Sequence, residues 1–173
     1  MSEQERGKYE EEKGLLYKMA ERVTAGESLA SILEIESAEM AYFEGCAYEF
    51  HRQGEFERAE EVALGVLALD ERRAYALLVM GDVALKRRDS EQAVMWLERA
   101  AGLAPDDIGV LIRLGEALMR TGRFERARKV LDQVISDGGG RDDIYLRRAY
   151  ALKRVIRDRQ HEEEVMANAL PSG

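Results

Sequence analysis

A 34-residue period constrains this chain more than any other feature. RQGEFERAEEV at Arg52–Val62 returns as RTGRFERARKV at Arg120–Val130, with Gly54 and Gly122 standing 68 residues apart. Midway between them lies RRDSEQAVMWL, so Ala59, Ala93 and Ala127 follow one another at intervals of 34. In register, the copies span residues 40–73, 74–107 and 108–141.

Numbered from one within each copy, position four is Phe43, Leu77 and Leu111. Positions seven and eight are Cys46-Ala47, Met80-Gly81 and Leu114-Gly115, and position eleven is Phe50, Ala84 and Leu118. This spacing draws one apolar stripe along a helix. The alanines at position twenty begin a second stripe. It continues through Ala63, Leu97 and Leu131, then Val66, Ala100 and Val134. Small residues at positions eight and twenty let the two helices cross closely. Gly54, Asp89-Ser90 and Gly122 suit the turns, and Pro105 marks a helix end. Trp96 is expected to pack between helices, and Cys46 to be buried on the first stripe.

With these positions in place, the chain resembles the tetratricopeptide repeat proteins, whose unit is a 34-residue helix–turn–helix. That resemblance implies an all-α superhelix of three helix pairs. The expected organisation is an N-terminal helical segment over 1–36, repeats over 37–141, and a capping helix and tail over 142–173. One repeat cannot bury its own apolar faces, so the stack needs caps. The last helix should run from about Asp142 to Met166, with Ile144, Ala151, Leu152, Val155 and Ile156 against the third repeat. "SDGGG" at Ser136–Gly140 separates it from that repeat, and the tail from His161 is expected to fray. At the other end Leu15, Leu16, Met19 and Val23 form one amphipathic helix, and Glu27–Ile35 a short second one.

Several chemistries are excluded. The net charge of -8 argues against a nucleic-acid partner. One cysteine allows neither an internal disulfide nor a cysteine-based zinc site. "GESLA" at Gly26–Ala30 approaches the nucleophile-elbow pattern but has no preceding strand, so Ser28 is expected to open a short helix. "HEEEV" at His161 lacks the second histidine of a zinc-protease motif. No phosphate-cradling loop is present. The chain is therefore expected to be no enzyme, with no cofactor and no metal. Its N-terminus has no apolar signal core and no run long enough to span a bilayer, so a cytoplasmic location without membrane insertion is expected.

The informative surface is the concave side of the stack. First-helix positions two, five, nine, twelve and thirteen should face it. The candidate peptide-binding groove is Glu44, Tyr48, His51, Tyr75, Leu78, Asp82, Leu85, Lys86, Ile112, Glu116 and Met119. Tyr48, Tyr75, Leu78, Leu85, Ile112 and Met119 would be apolar residues aimed at solvent, a feature that marks partner sites. The alternative occupant is the protein's own N-terminal helix or a dimer mate. Glu44 and Tyr48 stand where some related repeats place residues that clamp a C-terminal carboxylate.

Ala25–Asp70 also resembles the type III secretion chaperones of translocator subunits, chiefly through Gly26, Ser28, Leu29, Ala30 and Ile32, which match a phrase those chaperones carry before their first repeat. The resemblance implies a chaperone holding an extended segment of a secreted, membrane-active client, and a homodimer through the N-terminal helix. Glu44 and His51 depart from the aromatic residues common in that family. The alternative is a generic scaffold or regulatory subunit joining soluble partners.

Overall fold

The computed structural model describes residues 2–137 and 144–169, so Gly138–Gly140 and the start of the expected capping segment lie outside the described residues. The described residues are helical, with no strand. In chain order the helices are α1 (Glu3–Thr24), α2 (Leu29–Ile32), α3 (Ser37–Gln53), α4 (Phe56–Leu69), α5 (Ala74–Lys86), α6 (Ser90–Leu103), α7 (Ile108–Arg120), α8 (Phe124–Asp137) and α9 (Ile144–Ala169). Helices α5 and α7 begin at repeat position one, at Ala74 and Ile108.

Local chemistry sets the helix ends. The Asp89 carboxylate accepts from the Gln92 amide to cap α6, and Asp107 accepts from the Val110 amide to cap α7. Ser28 caps α2 by accepting from the Ser31 amide, so it opens a short helix as expected. Gly54 and Gly122 turn the chain with φ of 84° and 73°, the left-handed conformation that favours glycine. The equivalent residue of the second copy is Arg88, which adopts φ 64°.

Each pair, α3–α4, α5–α6 and α7–α8, crosses over buried small residues, Ala47, Ala59, Ala93 and Ala127 among them. The first helices also touch their successors, α3 with α5, α5 with α7 and α7 with α9, whereas α4, α6 and α8 do not touch one another. Packing tighter along one side than the other bends the stack, and the first helices line its concave face.

Two expectations need correction at the ends. Phe43 is exposed, unlike Leu77 and Leu111 at the same position. Position four of a later repeat is covered in part by the preceding second helix, as Leu67 of α4 packs beside Leu77. The first repeat has no such predecessor, which also leaves Cys46 only half-buried. At the other end Ile144 and Val155 are exposed, Leu152 is half-buried and Ala151 is exposed, while Leu146, Ala149 and Ile156 make the contact. Ala149 lies 34 residues after Gly115, so α9 takes the place of the first helix of a further repeat. It then continues helical through His161, where the sequence predicts a frayed tail, to Ala169.

Helix α1 buries no residue and touches only α2. Leu15, Leu16 and Val23 are exposed, and α1 does not enter the concave face. Trp96 is partly buried against the core between helices, as expected.

Candidate functional site

The concave face holds two adjoining depressions. The larger, about 650 Å³, is walled by Tyr48, Tyr75, Leu78 and Ile112, and α9 closes its far side with Tyr145 and Arg148. Tyr48 and Tyr75 come from the neighbouring helices α3 and α5, and their rings lie 5.8 Å apart at a tilt of 47°. They are 40% and 38% exposed. Burial, with the nearby Tyr48, Glu44 and Asp82 adding to it, pushes the Tyr75 phenol up to about 12. Tyr75 is thus neutral at physiological pH, an apolar ring with one hydroxyl to pair.

The other expected apolar groove residues behave differently. Leu85, Ile112 and Met119 are only 7%, 1% and 8% exposed, and Leu78 is half-buried. They lie in the seams where successive first helices touch, so close stacking covers them. Ile112 still forms part of the groove floor. Glu44, Asp82 and Glu116 are also buried, and each is matched by an arginine about thirty residues on. Arg73 donates to Glu44 at 2.5 Å, Arg113 to Asp82 at 2.6 Å, and Arg148 to Glu116 at 2.5 Å. Arg120 adds a second contact to Glu116 at 2.6 Å and donates to the Leu85 carbonyl at 3.1 Å. Buried carboxylates without such partners would cost several kcal/mol.

Asp82 and Glu116 occupy the same repeat position, yet their acidities shift oppositely. Burial raises Asp82, and Arg113 with His51 offsets only part of that. Burial also acts to raise Glu116, but the Arg148 hydrogen bond and the charges of Arg148, Arg120 and Arg113 outweigh it and hold the carboxyl below its ordinary value. The number of guanidiniums decides the sign.

The smaller depression, about 150 Å³, lies beside His51, Lys86 and these ion pairs. His51 Nε2 is buried and has no hydrogen-bond partner within the chain. Burial lowers the imidazole pKa, Asp82 opposes this, and Lys86 and Arg113 reinforce it, so the ring is neutral at physiological pH. Tyr48 and Phe56 flank it. Among the described residues no group of three or more His, Cys, Asp or Glu side chains could hold a metal, and no helix is long and apolar enough to cross a membrane.

Nine of the eleven expected site residues line these two depressions, while Glu44 and Met119 line neither, and the face is an aromatic groove beside a charged floor rather than a continuous apolar surface. Sequence reasoning missed Arg73, Arg113, Arg148 and Tyr145. The signal available was an acid on the first helix followed by an arginine 29, 31 or 32 residues later.

Two family models described as tetratricopeptide repeat match residues 47–108 and 84–152, together spanning well over half the chain. No curated protein sequence matches significantly. Among solved structures, the chain is similar to a type III secretion system complex from Aeromonas hydrophila, with TM-score 0.72 and 14% identity over 83% of this chain and 97% of that one. It is similar to the Yersinia enterocolitica type III secretion chaperone SycD in complex with a peptide of the translocator YopD, with TM-score 0.64, 16% identity and coverage of 73% and 98%. The second repeat domain of human RPAP3, in complex with an HSP70 peptide, gives TM-score 0.61, 21% identity and coverage of 69% and 97%. At these identities the likeness is one of fold. The small residues recurring every 34 positions, the paired helices and the family matches agree: the chain belongs to the tetratricopeptide repeat proteins.

Proposed function

We propose that this protein is a non-enzymatic chaperone or adaptor that holds an extended apolar segment of a client protein in its concave groove. The observation that carries the reading is the groove itself: two adjacent, part-exposed tyrosines tilted against each other over an apolar floor, with no helix among the described residues lying across it. Exposed rings of this kind supply contact area at low conformational cost. A client segment that is disordered when free pays ordering entropy on binding, which keeps its release easy. The fold likeness to a chaperone solved with a translocator peptide supports a type III secretion translocator as client, and with it a cytoplasmic location. A scaffold joining soluble partners is the second reading, supported by the likeness to a repeat domain solved with an HSP70 peptide.

The same proposal assigns α1 to self-association. Its exposed Leu15, Leu16 and Val23, and the exposed Tyr42 and Phe43 at the open end of the stack, whose rings meet edge to face, are apolar surfaces that no other helix among the described residues covers. Light scattering on the full chain and on a chain lacking residues 1–25 tests this. A dimer that becomes a monomer of unchanged melting temperature supports it; two monomers refute it.

The groove reading is tested by titrating acetylated, amidated 12-residue peptides with leucine or valine at alternate positions, followed by fluorescence anisotropy. Saturable binding lost on Tyr48→Ala with Tyr75→Ala supports the groove. Absence of any binding, or binding indifferent to both tyrosines, overturns it.

A further inference from the structure

The charged floor beside the aromatic groove has the opposite sign to the molecule. The chain carries a net charge of -8. Yet the smaller depression is lined by four cationic side chains, Lys86, Arg113, Arg120 and Arg148, against two carboxylates, Asp82 and Glu116, a surplus of two positive charges with His51 neutral. The arginines are committed to the buried acids. Lys86 makes no ion pair with any described residue and is exposed on the last turn of α5. The two depressions share Asp82, Arg113 and Arg148, so they are contiguous. At the far rim of the larger one stand Asp106 and Asp107, which gives the groove an acidic and a basic end.

From this juxtaposition we propose that the floor between Lys86, Arg113 and Arg120 is a carboxylate subsite, so that the segment held in the groove presents an Asp or Glu side chain next to its apolar anchors. The inference rests on the groove reading and names the chemistry of its ligand. A carboxylate fits where a neutral or cationic side chain does not. The arginines on the floor are part-buried beside the acids they pair, and exposed Lys86 supplies at the floor's edge an unpaired charge, which attracts a carboxylate and is open to screening by salt. A cation placed beside it meets like charge, and a neutral amide gains no compensation for it. The pocket has room for the end of one side chain. The acidic rim at Asp106 and Asp107 disfavours a second carboxylate at the other end, which sets the direction of the segment. The carboxylate is assigned to a residue within the segment, because the subsite adjoins the larger depression through Asp82, Arg113 and Arg148 and the apolar anchors lie next to it.

The peptide series above is extended with Glu, Gln or Lys placed in turn at each position between the anchors. At the best position and low salt, the Glu peptide should bind about fivefold or more tighter than its Gln counterpart, a ratio typical of a part-screened charge contact. The Lys peptide should bind more weakly still. Lys86→Gln should bring the Glu and Gln peptides close together, and Lys86→Glu should invert their order. Neither variant should shift the melting temperature, because Lys86 is exposed and unpaired. Raising the salt to 0.5 M should erase the Glu preference and spare the apolar contribution. Equal binding of Glu and Gln peptides, with binding still dependent on Tyr75, overturns the subsite and leaves the groove intact. Peptide binding that ignores Tyr75 overturns both. A preference seen only when the amide cap is replaced by a free C-terminal acid also overturns the proposal, since the site then reads chain ends.

Discussion

A Cβ built on Gly81 would stand 2.5 Å from Cγ of Leu97, closer than carbon atoms approach in a packed core. The third repeat repeats the relation, with a Cβ on Gly115 2.8 Å from Cδ2 of Leu131. In the first repeat the same two positions are Ala47 and Ala63, both buried. Volume is thus shared across the crossing, as glycine with leucine or as alanine with alanine. Gly81→Ala gains about 1 kcal/mol of helix propensity. The clash falls on the branching carbon of Leu97 rather than on a mobile end, so overpacking of about 1–3 kcal/mol should win. Gly81→Ala with Leu97→Ala should lose less than the sum of the two single changes. Urea denaturation of the three variants measures this, and strict additivity would refute it. Gly65→Ala, with nothing within 4 Å of the added carbon, should stabilise α4 by about 0.5–1 kcal/mol.

Such pairs explain how much was legible in the sequence. The small residues recur with the period, so the helix pairs and their register followed from spacing, whereas the concave set followed from the resemblance to stacked repeats. Ala149 extends the same series and was legible too, but the turn and second-helix pattern do not recur with it among the described residues, so α9 reads as a cap. Burial was harder to read. The repeat positions of Leu85 and Met119 predict the concave side, yet both are buried in the core. A single-repeat pattern contains no record of how closely its neighbour stacks. Phe43 fails for the reverse reason, since its position is covered only when a repeat precedes it. Arg113 and Arg148 were missed because their role is set by buried acids in the preceding repeat.

Arg88 adopts φ 64° where the other two copies use Gly54 and Gly122. A residue with a side chain costs about 1–2 kcal/mol in this conformation. Arg88→Gly removes that cost but returns about 0.4–1 kcal/mol through the more flexible unfolded chain. The net expectation is a gain of about 0.5–1 kcal/mol. Arg88 is exposed, so lost packing should not mask the effect. Thermal melting of the variant checks it; a lower melting temperature would show that Arg88 holds the turn by other means.

Glu116 and Asp82 predict opposite pH dependences. Glu116 is held below its ordinary value of 4.5, so its contribution is complete above about that pH and is lost as the pH falls through the depressed value. Asp82 is raised above its ordinary 3.8, so its contribution is present below that value and is lost as the pH rises through the raised one. Glu116→Gln should therefore cost most near neutrality, about 1–3 kcal/mol for a charged hydrogen-bonded pair, and progressively less in acid. Urea midpoints from pH 7 down to pH 3 measure the difference. Curves for wild type and Glu116→Gln that stay parallel across this range would contradict the assignment.

The groove separates two kinds of apolar residue that occupy equivalent-looking positions. Tyr48 and Tyr75 are part-exposed and lie side by side with their rings tilted, so truncating them removes surface that a ligand would use. Leu85 and Met119 are core residues in the seams between first helices. Tyr48→Ala with Tyr75→Ala should weaken binding of the Leu/Val peptides about tenfold or more, with each well-buried ring worth roughly 1–2 kcal/mol. The melting temperature should barely move. Leu85→Ala and Met119→Ala should behave the other way, each costing about 2–5 kcal/mol of stability through the cavity left behind. Peptide affinity, measured where those variants remain folded, should change little. Anisotropy titrations and melting curves on the same four-residue set decide the matter. If the tyrosine pair melts low and binds normally, the tyrosines hold the stack together, and the client site lies instead on α1 or on the face formed by α4, α6 and α8.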